Sequence, residues 1–310
     1  MLLYGCSGAS NEGSETNEQA ANSSTTAPEK SSQSSFPRTL TDEKGEVTIP
    51  DKPKKIALTA WGFIDLLLTL EPEQLATTGY NYYSKLAAFK PYFESDAFVD
   101  LGTDGEINLE KLLEYEPDII LAGGEENEKV YTELTKIAPV FFLDAAKGYD
   151  DWKWALTEYA KALGLEEEAQ QVIANHDARL SDAKSKLQKY EDQDVVFLDP
   201  ADKAFYFWGT ERLNTYYNEI GLKMPDNELA ESGGDLSLEG LIELNPDHIF
   251  LHNRPTAPLA PILEQLQKSA VWNQLDAVKN GHVYPLESSA FSPGPTGVAY
   301  GIEEILKNLK

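Results

Sequence analysis

The chain has 310 residues, 41% of them hydrophobic, and a formal net charge of −26, which is length and apolar content enough for two folded domains of ordinary size. An acidic chain with only four arginines (Arg38, Arg179, Arg212 and Arg254) argues against nucleic-acid binding, because a phosphate backbone is held by clustered Lys and Arg. Its single cysteine, Cys6, leaves no partner for an intrachain disulfide.

Residues 1–6, Met-Leu-Leu-Tyr-Gly-Cys, resemble the end of a bacterial lipoprotein signal, in which a Leu-x-Gly-Cys box is cut before a cysteine that is then lipidated. The charged and long apolar parts of such a signal are missing, so either the start lies upstream or Cys6 is incidental. We expect a truncated signal with Cys6 as the lipidation site. Residues 7–35 are built from Ser, Thr, Asn, Glu, Ala and Gly with almost no aliphatic side chains. Such a segment buries too little apolar area to offset its ordering entropy, and is expected to be a disordered tether.

A first α/β lobe is expected over 36–164. Strands are predicted at 46–49, 55–59, 75–80, 98–102 and 140–143, and helices at 62–70, 128–137 and 149–163, the last stopped by Gly164. Residues 166–190 contain neither Pro nor Gly and predict one helix about 40 Å long. It is acidic early (Glu166, Glu167, Glu168) and basic late (Lys184, Lys186, Lys189), which complements the helix dipole. This helix, over 165–191, is read as a strut to a second lobe at 192–310. There strands are predicted at 195–198, 204–209, 249–251 and 282–286, and helices at 213–220, 259–268, 270–278 and 296–309. Ser232-Gly233-Gly234-Asp235 is read as a loop. Strands alternating with helices imply mainly parallel sheets covered on both faces.

The lobes share a unit. The segment 108–120 realigns 129 positions later on 237–249, with Leu109, Glu110, Leu112, Glu114, Pro117, Asp118 and Ile120 unchanged at the shifted places. Each copy reads as polar cap, short helix, Pro-Asp and apolar strand. A period this long is no solenoid repeat; it implies two similar Rossmann-like lobes with a ligand cleft between them.

Two such lobes, a long connecting helix, the twice-used Leu-Glu-x-Leu…Pro-Asp unit and the terminal Cys box together resemble the substrate-binding lipoproteins of ABC importers for iron-siderophores and cobalamin. The segments Val130-Tyr131…Ile137-Ala138-Pro139-Val140 and Val271-Trp272-Asn273-Gln274-Leu275…Asn280-Gly281-His282-Val283-Tyr284 add to the likeness. The resemblance implies an extracytoplasmic, lipid-anchored monomer that is not an enzyme. Such a protein needs no cofactor, since the iron arrives inside its chelate, and its partner is an ABC permease. It further implies that Glu110 and Glu239 dock on basic permease residues. Each falls in a first helical turn after a cap, Asn108 or Ser237, where its charge is stabilised. Glu114 and Glu243 recur one turn later, so the choice within each helix stays open.

Loops at the carboxyl ends of strands should line the cleft. They offer Trp61, Tyr82, Tyr83, Tyr206, Trp208, Arg212, Arg254 and Phe291, with Asn81, Lys85, Gly123-Gly124-Glu125 and His252-Asn253 beside them. Trp61 and Tyr206 serve equally well as core, and of the adjacent Tyr82 and Tyr83 one is expected to face the cleft. The set is aromatic with few cations. Strongly anionic citrate or catecholate chelates would ask for several Arg and Lys, so a hydroxamate ferric-siderophore is preferred, with heme or cobalamin as the alternative. Direct zinc or manganese capture needs about three His with a carboxylate in one site. The four histidines (His176, His248, His252, His282) all lie after the first lobe. A cell-surface enzyme or sensor is the alternative of another class. No Gly-x-Ser-x-Gly elbow, phosphate loop or Cys-His pair supports it.

Overall fold

The computed structural model describes residues 35–94, 97–103, 106–201 and 204–309; Cys6 and the expected tether, Ser35 apart, lie outside them. An antiparallel hairpin comes first, β1 (Arg38–Asp42) and β2 (Gly45–Ile49). The first lobe follows as β3 (Lys55–Leu58), α1 (Ile64–Thr69), β4 (Gln74–Thr77), α2 (Tyr80–Tyr83), β5 (Phe98–Asp100), a small ribbon β6 (Gly102–Thr103) and β7 (Glu106–Ile107), α3 (Leu109–Tyr115), β8 (Ile119–Gly123), α4 (Glu125–Lys129), α5 (Tyr131–Leu134) and β9 (Val140–Leu143). Its sheet runs β5-β4-β3-β8-β9, parallel throughout.

Next come α6 (Ala145–Asp150), α7 (Trp152–Leu163) and the long α8 (Glu166–Leu187). The second lobe contains β10 (Val195–Pro200), β11 (Ala204–Phe207), β12 (Gly234–Ser237), α9 (Leu238–Leu244), β13 (His248–Asn253), α10 (Ala260–Leu266), α11 (Asp276–Asn280), β14 (Val283–Glu287) and α12 (Pro295–Asn308). Its sheet runs β12-β11-β10-β13-β14; β10, β13 and β14 are parallel, and β11 and β12 add an antiparallel edge.

Alternation along the strands builds a core on each face of each sheet. Ile56, Leu58, Ile119 and Leu121 face one first-lobe core while Ala57, Ile120 and Ala122 face the other. Val195, Phe197 and Phe250 divide from Val196, Leu198, Ile249 and Leu251 in the same way. The long α8 packs along both cores. Its first half puts Ala169, Val172 and Ile173 into the first-lobe core, and its second half puts Leu180, Ala183 and Leu187 into the second-lobe core.

Several predicted elements differ. The strand 75–80 ends at Thr77, because Gly79 takes a left-handed conformation (φ 78°) and starts α2. The helix 128–137 is two short helices broken at Val130. Residues 213–220 form a π-helical turn over Thr215–Glu219. In 270–278 an extended Leu275 separates a 3-10 turn from α11. The loop reading of 232–235 is half wrong, since Gly234 and Asp235 begin β12, paired with Phe207 and Tyr206 of β11.

Candidate ligand-binding cleft

In both lobes the chain leaves its first parallel strand toward one side of the sheet and later returns to the other. The reversal lies between β3 and β8 in the first lobe and between β10 and β13 in the second. Loops at the carboxyl ends of such strand pairs form the crevice in which open α/β sheets bind ligands. Here those ends carry Thr59–Trp61 and Gly123–Asn127 in one lobe, and Asp199 and His252–Arg254 in the other.

A cavity of about 550 Å³ opens between the lobes, with Asn81, Tyr82, Lys85 and Leu86 on the first-lobe side and Trp208, His252, Arg254 and Ser288 on the second. A hollow of about 240 Å³ shares Tyr82, Leu86, Trp208, His252 and Ser288, and adds Trp61, Tyr83, Arg212 and Phe291. A third, of about 360 Å³, lies against Asp199, Tyr206, Trp208 and Arg254. The structure thus brings all eight sequence-predicted lining residues to one region, in unequal roles. Tyr82 is 46% exposed, whereas Tyr83 and Phe291, at 6% and 7%, belong chiefly to the two cores. Gly123, Gly124 and Glu125 line a separate 240 Å³ hollow in the first lobe, which also touches Trp61.

Trp208 is the centre of the aromatic wall. Its ring lies 5.0 Å from Tyr206, 5.4 Å from Phe291 and 6.2 Å from His252. The strand end is fixed in place by Trp208 N donating to Phe197 O at 3.0 Å. Gly209, the next residue, permits the close approach of the Glu231 backbone, for a Cβ there would collide with Glu231 O. The Trp208 Nε1–H is buried with no acceptor among the described residues.

The cations divide. Arg254 is ion-paired through Nη2 to Oδ2 of the buried Asp199. Arg212 Nη2 donates to Phe291 O at 3.2 Å; neither it nor Lys85 has a carboxylate within salt-bridge distance among the described residues. Asp199 and Ser288 escaped the sequence reading. The available signal for Asp199 was its place at the end of β10, the one parallel-strand terminus of the second lobe left unexamined. Ser288 Oγ, His252 and Asp199 lie in the order of a nucleophile relay, with His252 Nε2 2.8 Å from Ser288 Oγ. His252 Nδ1, however, stands 3.5 Å from Asp199 Oδ2, which is no hydrogen bond, and the carboxylate is already committed to Arg254.

Below the cleft the lobes are joined directly. Ala87 N donates to Glu287 Oε2 at 3.3 Å and Ala88 N to Ser289 Oγ at 3.0 Å. Asp65 of α1 is 3% exposed. It accepts from Thr296 N at 3.0 Å and Gly297 N at 3.1 Å, and so caps α12 of the other lobe. Burial pushes its carboxyl above the usual range, and the bonds from Thr296, Gly297 and Ser292 pull it back.

The repeated units have equivalent geometry. Asn108 Oδ1 accepts from Lys111 N and Ser237 Oγ from Gly240 N, both at 3.0 Å. Glu110 and Glu239 stand exposed in the first turns, as do Glu114 and Glu243 one turn on. Each helix ends on a left-handed residue, Glu116 or Asn245. Asp118 Oδ2 then accepts from Lys54 N and Lys55 N, and Asp247 Oδ2 from Asp194 N. The recurring Asp therefore ties each unit to the start of its lobe's first parallel strand. Among the described residues no helix is long and apolar enough to cross a membrane.

Comparison with known proteins agrees with this architecture. Residues 56–290 match the family model described as periplasmic binding protein. The Bacillus subtilis protein whose name reads "Putative ABC transporter substrate-binding lipoprotein YhfQ" is 30% identical over 268 residues, 82% of each chain. The Fe(3+)-citrate-binding protein YfmC of Bacillus subtilis is 27% identical over 265 residues, 84% of this chain and 82% of its own. The crystal structure of the Bacillus subtilis petrobactin-binding protein YclQ superposes with a TM-score of 0.68 at 23% identity, covering 88% of this chain and 98% of that one, which shows a common fold. The chain belongs to the periplasmic binding protein family, whose members here are binding proteins rather than enzymes.

Proposed function

We propose that the protein captures a ferric siderophore outside the cytoplasm and delivers it to an ABC permease, working as a monomer held to the membrane through lipid on Cys6. The observation that carries this reading is the aromatic-walled cavity between the lobes, set at the strand reversals of both sheets, with oxygen-seeking donors at Arg212 and Arg254. A hydroxamate complex suits it best: its apolar bulk packs on Tyr82 and Trp208 while its hydroxamate oxygens accept from the arginines. Lys85, exposed and without a carboxylate partner among the described residues, favours a second reading, a chelate bearing carboxylate. The name of YfmC supports that second reading for the fold. Heme is less well suited, because an axial role for His252 Nε2 would break its bond to Ser288.

The testing experiment is titration of intrinsic tryptophan fluorescence with ferrioxamine, ferrichrome, ferric citrate, a ferric catecholate, heme and cobalamin. Saturable submicromolar quenching by a hydroxamate complex is expected. Tighter binding of citrate or a catecholate would give the second reading, and no binding by any iron chelate would sink both. Glu110 and Glu239 are the proposed permease contacts, two fixed anions on two lobes that pair with basic residues through charge-assisted hydrogen bonds.

A further inference from the structure

We infer that Asp199 sets the charge of chelate the cleft accepts: its ion pair with Arg254 withholds one of the three cleft cations among the described residues from the ligand. The inference rests on reading the cleft as a ferric-chelate site.

Asp199 is the penultimate residue of β10 at the second lobe's strand reversal and is 7% exposed, whereas the Arg254 side chain is 48% exposed and lines the main cavity. The carboxylate therefore lies in the wall and the guanidinium reaches out over it. A buried carboxylate is retained only when paired, and Arg254 is its ion-pair partner, with His252 Nδ1 at 3.5 Å. A ligand carboxylate approaching Arg254 meets a site already neutralised and is repelled by Asp199 behind it. A neutral hydroxamate oxygen needs only one of the five guanidinium N–H donors and leaves the pair intact. Among the described residues Lys85 and Arg212 remain as the cleft cations without a carboxylate partner, one on each lobe. If the pair served only to orient Arg254, its loss would weaken all oxygen ligands alike. If it sets charge, its loss shifts the balance between anionic and neutral ligands.

The test measures affinities of the full chain for ferric citrate and for a neutral ferric trihydroxamate, in wild type, Asp199→Asn, Arg254→Gln and the double variant. The readout is the ratio of anionic to neutral affinity. Asp199→Asn should raise that ratio about tenfold, on the order of 1.4 kcal/mol. The rise should shrink with added salt and vanish in the double variant, where no arginine is freed. Arg254→Gln alone should lower the ratio, because Asp199 is then unpaired in the wall. An unchanged ratio in Asp199→Asn, with both ligands weakened equally, overturns the inference, as does a rise that persists in the double variant. If Asp199→Asn fails to fold, Arg254→Gln decides, and an unchanged ratio there is fatal. Wild type that binds neither chelate refutes the ferric-chelate reading and this inference with it. Wild type that prefers citrate refutes only the hydroxamate preference and leaves the ratio test standing.

Discussion

The two lobes start from the same unit and diverge where its strand ends. Through cap, helix, left-handed stop and Asp clamp, α3 and α9 correspond residue by residue. At the end of β8 the first lobe then places Gly123, Gly124 and Asn127, whose Nδ2 donates to Gly123 O at 2.9 Å and Thr59 O at 3.3 Å. At the end of β13 the second lobe places His252, Asn253 and Arg254, tied to Asp199 and Ser288. The first lobe reaches the main cavity mainly through α2 and the residues after it, which have no place in the repeat. The antiparallel edge of the second sheet, which the first lacks, delivers Trp208. Recurrence thus marks the frame, and divergence marks the strand ends beside the cavity.

The largest expected effect tests the equivalence of the two repeated units. Reversing both Glu110→Lys and Glu239→Lys should abolish iron uptake by cells and leave ligand affinity of the purified protein unchanged; weakened affinity would refute the docking role. Either reversal alone should give partial loss, and a lobe whose reversal has no effect is not a docking face.

Next, Trp208→Ala tests the ligand side of the second lobe. Truncating a central aromatic anchor costs about 2 kcal/mol or more, so affinity should fall roughly thirtyfold with little change in melting temperature. Unchanged affinity would remove Trp208 from the site. Tyr82→Ala, the nearest first-lobe counterpart, should cost less because that ring is more exposed.

Smaller effects sharpen the comparison of the clamps. Asp118 accepts two backbone N–H groups and Asp247 one. Asp118→Ala should therefore destabilise more, by about 1–2 kcal/mol against about 1 kcal/mol or less, read from urea midpoints. Equal losses would show that the second bond contributes nothing.

The smallest is a pH effect. Burial lowers His248 in the second lobe and His176 in the strut from 6.5 to about 4. Between those values the unfolded chain binds protons that the folded one refuses, so stability present above pH 6.5 is lost as pH falls toward 4. His248→Gln should flatten the stability slope in that window, and an unaltered slope would show that His248 titrates normally when folded.

Much of the frame was legible because it rests on local signals. The caps at Asn108 and Ser237, the stop at Gly164 and the unbroken run from Glu166 each follow from nearby residues. The errors fell where tertiary contact decides. Residues 232–235 carry loop composition, yet Gly234 and Asp235 pair with β11 at the edge of the sheet. Thr78 onward continues an apolar pattern that Gly79 turns into a helix. In the cleft, aromatic type and strand-end position sufficed to gather Trp61, Tyr82, Trp208 and Arg254. Asp199 was hidden because, in so acidic a chain, one Asp carries no mark until a neighbour 55 residues away meets it.

The cap that Asp65 gives α12 crosses 231 positions of sequence. Space there is so tight that a side chain at Gly294 would strike the carboxylate at 2.5 Å. One of the first helices to be synthesised therefore completes the last. A chain cut short before Pro295 leaves a buried carboxyl without its donors, and a chain begun after α1 leaves the amides of α12 without an acceptor. The join that ties the lobes therefore needs α1 and α12 together.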